Sequence, residues 1–402
     1  MTAPVTATRI RPDTRVGLPE LSVVRDGDDY VVGDPATAVF ITVPEVAVWV
    51  LDGLREGQTV GEVTATVSAR AGTEVDVADF VDTLVLCELV AALDGVPLRE
   101  ETAGLAWWSA LRPELVRPLF SWPAWIGYGA AFLFVVAVFV LRPQYRPSFE
   151  DSMFYPDPAL SLGAVLAFGV LLAGGHELYH WLAARALGVA GRFSIGRRAF
   201  ILVFETDLSQ LWSLPRRRRL GPLLAGLAFD IVVTAGCLAG RIAGPPPLLD
   251  RILAAIVLVQ VVAVLYQCLA FMRTDLYFVL LTALGCRDLN RVTRLYLRSR
   301  LSTLTPEQAA ALAAAHPRDR RVAPWFGLAY LTGVALLAYL FVNIWLPSTA
   351  MMGGWVALSL IQETPLHVAF WEAFALSLVL LLPVASVVLV WLRQRRVART
   401  EA

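Results

Sequence analysis

Two histidines four residues apart, with a glutamate directly after the first, stand at His176-Glu177-Leu178-Tyr179-His180. On a helix, positions i and i+4 share a face. Both imidazoles could therefore reach one tetrahedral Zn²⁺, while Glu177 takes a proton from a metal-bound water. This pattern suits hydrolytic metal chemistry. Two histidines and a glutamate could also simply line a polar helix face, but inside an apolar span ionisable groups are costly unless paired or ligated. A zinc hydrolase usually has a third protein ligand and leaves the fourth position to water. His316 lies in an arginine-rich loop and His367 at the start of the last apolar run, so neither is well placed. A carboxylate is expected instead. Counted at about 1.5 Å per residue, His176 lies deep in its span and Asp275 near the inner edge of another, so the two depths can meet. Asp230 is the competitor, and as an acid within a span it is expected to orient a ligand or handle protons.

The elements that must position these groups are membrane helices. The 402 residues are 57% hydrophobic and 17% charged, too apolar for an ordinary soluble domain of this length. Runs long enough to span a bilayer occupy 124–141, 159–187, 221–240, 251–272, 323–346 and 366–392. The segment 276–284 is apolar but too short to cross, and reads as the end of a broken or re-entrant helix. Eight arginines fall in 185–219 and eight in 287–321, against two in 142–158 and none in 347–365. The arginine-rich loops should be cytoplasmic, with the tail carrying Arg393, Arg395 and Arg396. Both termini are then expected inside, and the arginines 216–219 are read as topology markers only.

Ahead of the spans, residues 20–42 alternate apolar and polar around Asp26-Gly27-Asp28-Asp29, which predicts a hairpin followed by a strand, 38–43. Three helical patterns follow, Pro44 to Leu54, Thr59 to Ala69 and Val75 to Leu93, with Thr59 and Thr73 as N-caps. The fold class expected is a mainly α, polytopic membrane protein of about six spans plus the broken segment, with a small N-terminal α+β winged-helix-like domain. Its divisions are a cytoplasmic domain, 1–100, a Trp- and Pro-bearing connector, 101–122, the membrane domain, 123–392, and a tail, 393–402. From Leu18 to Glu100 there are 16 acidic residues and 4 arginines, which argues against nucleic acid as a partner, because phosphate contacts need basic side chains. No apolar run follows the start methionine, so no cleaved signal peptide is expected. The four cysteines, 87, 237, 268 and 286, have no paired spacing, so neither a disulfide framework nor a cysteine metal site is expected. All basic residues are arginine, a usage that predicts a high-GC bacterial genome and hence the bacterial plasma membrane.

With these residues in view, the stretch 160–290 resembles the site-2 protease superfamily of intramembrane zinc metalloproteases. In that family an H-E-x-x-H helix is joined by an aspartate from an N-x-x-P…L-D-G segment near the end of another helix. Gln267-Cys268-Leu269-Ala270-Phe271-Met272-Arg273-Thr274-Asp275-Leu276 occupies the matching place. The resemblance implies Zn²⁺ held by His176, His180 and Asp275, and Glu177 as general base. Gln267 replaces the usual Asn, Ala270 the Pro and Leu276 the Gly, which bears on the backbone turn more than on the ligand. Glu205-Thr206-Asp207, then Trp212-Ser213-Leu214-Pro215 and arginines 216–219, resemble the peptide-maturation branch. The N-terminal order is similar to PqqD-like domains, which take up a leader peptide as an added strand.

The resulting expectation is a protease that removes the leader of a ribosomally made precursor peptide. Asp230, Gln267 and Arg273 are expected around the ligands; Arg273 could steady an oxyanion or equally snorkel to lipid headgroups. Two alternatives are a regulatory protease acting on a membrane-bound transcription-factor inhibitor, and a transporter or immunity protein with a structural metal site. The intact Glu177 disfavours the last, since a structural site has no use for a general base.

Overall fold

The N-terminal sheet forms where apolar and polar residues alternate and closes on a turn glycine. After a short strand β1 (Val16–Gly17), β2 (Ser22–Asp26) and β3 (Asp29–Asp34) pair antiparallel with Asp26 opposite Asp29. Gly27 and Asp28 alone reverse the chain, and Gly27 takes φ 75°, the left-handed conformation such a tight turn demands. Strand β4 (Val39–Val43) adds antiparallel to β3, as the alternation predicts. This computed structural model describes residues 10–98, 111–189, 192–198, 201–342 and 346–378, with residue 381.

Helices α1 (Glu45–Arg55), α2 (Val60–Ala71) and α3 (Val77–Leu86) follow. Thr59 caps α2 in a reciprocal box: its hydroxyl accepts from the Glu62 N–H and the Glu62 carboxylate accepts from the Thr59 N–H. Two expectations fail at α3. Asp76, not Thr73, is its cap, accepting from the Asp79 N–H at 3.0 Å. The helix also stops at Leu86 instead of running to Leu93. Glu88, Asp94 and Gly95 take φ values of 58°, 49° and 78°, which a right-handed helix cannot accommodate. The freed residues form β5 (Ala92–Leu93) and β6 (Val96–Pro97), paired in the order β1-β5-β6. Val32, Leu51, Val63, Val81, Leu84 and Leu89 are fully buried in the core between helices and sheet.

Contacts divide the chain into two compact units. The first holds Met1–Pro118, Leu182–Arg192 and Asp207–Gly221, and so includes a short helix, α4 (Pro113–Val116). Within it, Gln210 donates to the Pro35 carbonyl at 2.6 Å. Arg219 is 1% exposed, and its guanidinium donates to Asp26 and to the carbonyls of Leu214 and Trp212 while lying over the Trp212 ring. Arg216 pairs with the same aspartate. Arg219 is thus a buried structural tie to the N-terminal hairpin, a correction to its reading as a topology marker only.

The second unit holds Leu119–Trp181, Phe193–Thr206 and Pro222–Ala402. Its elements, some of them reaching into the first unit, are α5 (Trp122–Leu141), α6 (Pro158–Ala186), the paired strands β7 (Arg192–Arg198) and β8 (Ile201–Asp207), α7 (Arg216–Ile242), α8 (Pro247–Gln267), α9 (Asp275–Leu284), α10 (Leu289–Leu301), α11 (Pro306–Ala314), α12 (Pro317–Leu340), α13 (Leu346–Gln362) and α14 (Val368–Leu378). Among the described residues, α5, α6, α7, α8 and α12 are long and apolar enough to cross a membrane. Val138, Leu238 and Val257 pack α5, α7 and α8 together. Of the predicted sixth span, 366–392, chiefly α14 is described; most of its remainder, the tail with Arg393, Arg395 and Arg396, and the connector residues Trp107 and Trp108 lie outside the described residues. The segment 347–365, expected as a loop, is mostly α13. Its residues Ala350-Met351-Met352 and Trp355-Val356-Ala357-Leu358 are apolar enough to fold as a helix.

Candidate metal centre

The metal-ligand spacing on α6 works as a helix requires. His176 and His180 lie one turn apart, 8% and 2% exposed, with their Nε2 atoms 3.2 Å from each other. Asp275 arrives from the first turn of α9, its Oδ2 standing 2.9 Å from His176 Nε2 and 3.1 Å from His180 Nε2. The three ligand atoms lie within 4.8 Å of one another, a group that could hold a metal ion.

The second nitrogen of each ring fixes its tautomer. His180 Nδ1 stands 2.7 Å from the Pro222 carbonyl, which can only accept, so Nδ1 carries a hydrogen and, in the neutral ring, Nε2 keeps its lone pair. His176 Nδ1 stands 2.8 Å from Asp230 Oδ2 and donates to that carboxylate in the same way. With both rings neutral, two imidazole lone pairs and a carboxylate oxygen face each other at 2.9–3.2 Å. Such a convergence of acceptors suits a bound cation, or a proton on one of the rings.

Asp230 is 1% exposed, and its other oxygen accepts from Gln260 at 3.3 Å. The stripe that meets the histidines is Pro222, Gly226 and Asp230, at successive four-residue intervals on α7. A side chain at Gly226 would collide with the Nε2 atoms of both histidines, so the ligands approach α7 through the gap that glycine leaves. At Gly175 a side chain would meet the ring of Phe229, fixing α6 close against α7.

The break between α8 and α9 delivers Asp275. Residues Ala270–Met272 make a 3₁₀ turn, and Arg273 ends it at φ 61°. The backbone reversal thus falls on Arg273, two residues before Asp275, a left-handed conformation rare for a residue with a side chain. Gln267 spans the break: its Nε2 donates to Asp275 Oδ2 at 2.9 Å and its Oε1 accepts from the Asp275 N–H at 3.0 Å. Thr274 donates back to the Gln267 carbonyl at 2.7 Å, and Asn290 donates to the Phe271 carbonyl at 2.9 Å. Arg273 itself is exposed, and its backbone makes the turn.

Glu177 is half-buried beside the ligands, and Thr206 of β8 donates its backbone N–H to the Glu177 carboxylate at 3.0 Å. His316 caps α12 and His367 pairs with Glu363, both apart from this group. Thr206, Pro222 and Gly226 are participants that sequence reasoning did not assign. For the last two the signal was present, since both fall at four-residue intervals from Asp230. For Thr206 no spacing pointed to Glu177. Comparison with known proteins adds no relative: the chain matches no family model, no curated protein and no solved structure.

Proposed function

We propose that this chain is an intramembrane zinc metalloprotease of the site-2 type, which cleaves a precursor peptide offered by its N-terminal domain. The observation that carries this reading is the convergence of Asp275 with two histidines, a glutamate beside them, that stand on a helix apolar enough to lie in a membrane. A four-coordinate ion bound at about 2.0–2.1 Å sets its ligands roughly 3.3 Å apart, close to the separations seen, and two imidazoles with one carboxylate suit zinc with a position left for water. When bound, zinc polarises the scissile carbonyl and lowers the pKa of water.

The protein's own groups divide the remaining work. His176, His180 and Asp275 hold the ion. Asp230 and the Pro222 carbonyl keep each imidazole in the tautomer whose Nε2 can ligate, and Gln267 holds Asp275 in place. Glu177 accepts a proton from the attacking water and gives it to the leaving amine. The small sheet of the first unit suits capture of an extended peptide as an added strand, and its acidic surroundings disfavour nucleic acid.

The test joins metal analysis to proteolysis. Detergent-purified protein should hold about one zinc per chain. His176→Ala and His180→Ala should lose both zinc and cleavage of a co-expressed precursor, scored by mass spectrometry. Glu177→Gln should keep zinc and bind the peptide yet lose nearly all turnover. A protein that carries no metal, or a Glu177→Gln variant that cleaves at the wild-type rate, would overturn the proposal.

A further inference from the structure

We infer that Thr206 is the positioning residue of Glu177, holding the general base ready beside the metal ligands; this rests on the proteolytic reading of the same site. Two hydrogen bonds run from this one residue to one residue of α6. The Thr206 N–H donates to Glu177 Oε2 at 3.0 Å, and the Thr206 hydroxyl donates to the Glu177 main-chain carbonyl at 2.9 Å.

The pair makes a clasp with a division of labour. The hydroxyl bond ties the end of β8 to the helix turn that carries the base, and that tie aims the N–H at the carboxylate. A glutamate side chain has three torsions to fix, and a half-buried one without a partner would sample several rotamers. With Oε2 held, Oε1 would take the proton from water. A backbone donor suits this purpose because, unlike a side chain, it has no rotamers of its own and reorganises little during reaction. The hydroxyl bond also uses a carbonyl inside α6, a second acceptor role that leaves the helix ladder intact, since a carbonyl has two lone pairs.

The experiment uses the full chain in lipid nanodiscs with four variants of different predicted behaviour. Thr206→Val keeps shape and the N–H but removes the hydroxyl. It should lower kcat about tenfold, the scale of one net hydrogen bond, with KM within about twofold and zinc content unchanged. Thr206→Ser should restore kcat. A merely structural role would instead lower zinc content or folded yield together with activity. Hydrogen exchange at the Thr206 amide provides a readout that needs no substrate: it should quicken in Glu177→Ala and stay slow in Glu177→Gln, which keeps an acceptor oxygen. An unchanged kcat in Thr206→Val, or equal exchange in all three proteins, overturns the clasp. Slow exchange lost in Glu177→Ala, in a wild-type protein that cleaves no precursor, upholds the clasp and sinks the protease reading instead.

Discussion

At Gly226 the missing side chain matters more than any contact, because the space a Cβ would fill is occupied by the Nε2 atoms of His176 and His180. Gly226→Ala should therefore cut zinc content to a small fraction of wild type while the helices remain folded, measured by metal analysis beside circular dichroism. Full zinc retention would mean that α7 can step back from α6 at little cost. Asp230→Asn is milder: an amide still fits, but the charge that favours a metal-bound His176 is gone, and zinc affinity should fall about 10–100-fold. The residues of this centre were unevenly legible in the sequence. His176, Glu177 and His180 announce themselves by spacing, and Asp230 and Asp275 by being acids in or at the edge of apolar runs. Thr206 could not be found this way, because its partner is 29 positions away and its contribution is a backbone N–H, which any non-proline residue possesses. The Pro222 carbonyl is equally anonymous.

Some ends were readable as a local code, but the Asp76 cap of α3 was not, nor was an end set by a left-handed residue other than glycine. The α2 cap at Thr59 with Glu62 three residues on is a local code, and the β2–β3 turn at Gly27 is another. The stop of α3 depends on Glu88 adopting a left-handed conformation, which nothing in a single glutamate foretells. The cap also supplies a pH test. Glu62 is exposed, and the Thr59 backbone N–H, aided by its hydroxyl, holds its carboxyl below the ordinary value. A group with a depressed folded pKa stabilises the fold above its unfolded value, about 4.3, and that contribution is lost as pH falls through the folded one. Thr59→Ala should cost about 1 kcal/mol. At neutral pH this should quicken exchange of the α2 amides roughly fivefold, by conversion of that energy. In wild type the same amides should lose protection as pH drops below the carboxylate range. Insensitivity to both changes would show that α2 is held by its buried Val60, Val63 and Val67 alone.

At the scale of the molecule, the open question is on which side of the membrane the turn between α13 and α14 lies, since that decides whether α13 crosses. Alternation through α5, α6, α7 and α8 puts the start of α6 and the α7–α8 turn at Gly244 on one side, and the arginine-rich segments on the other. α13 is 17 residues long, about 25 Å, short of the roughly 30 Å hydrocarbon core. Val356, near its middle, packs in one cluster with Ala373 and Leu376 of α14 and with Leu162, within the first two turns of α6. Glu372 of α14 lies beside Asp157, just ahead of α6. A helix that crossed would bring its middle to the centre of the bilayer, and these contacts place it instead at the level where α6 begins. We therefore expect α13 to lie along that surface and α14 to start a span there. Leu366, 93% exposed in the turn, is the reporter. In intact cells, Leu366→Cys and Gly244→Cys should react with an impermeant maleimide, and Ser302→Cys, between α10 and α11, should react only after lysis, each judged on a background with the four native cysteines replaced. Labelling of Gly244→Cys without Leu366→Cys would show that α13 crosses. Labelling of Ser302→Cys alone would invert the whole arrangement and turn the arginine-rich segments outward.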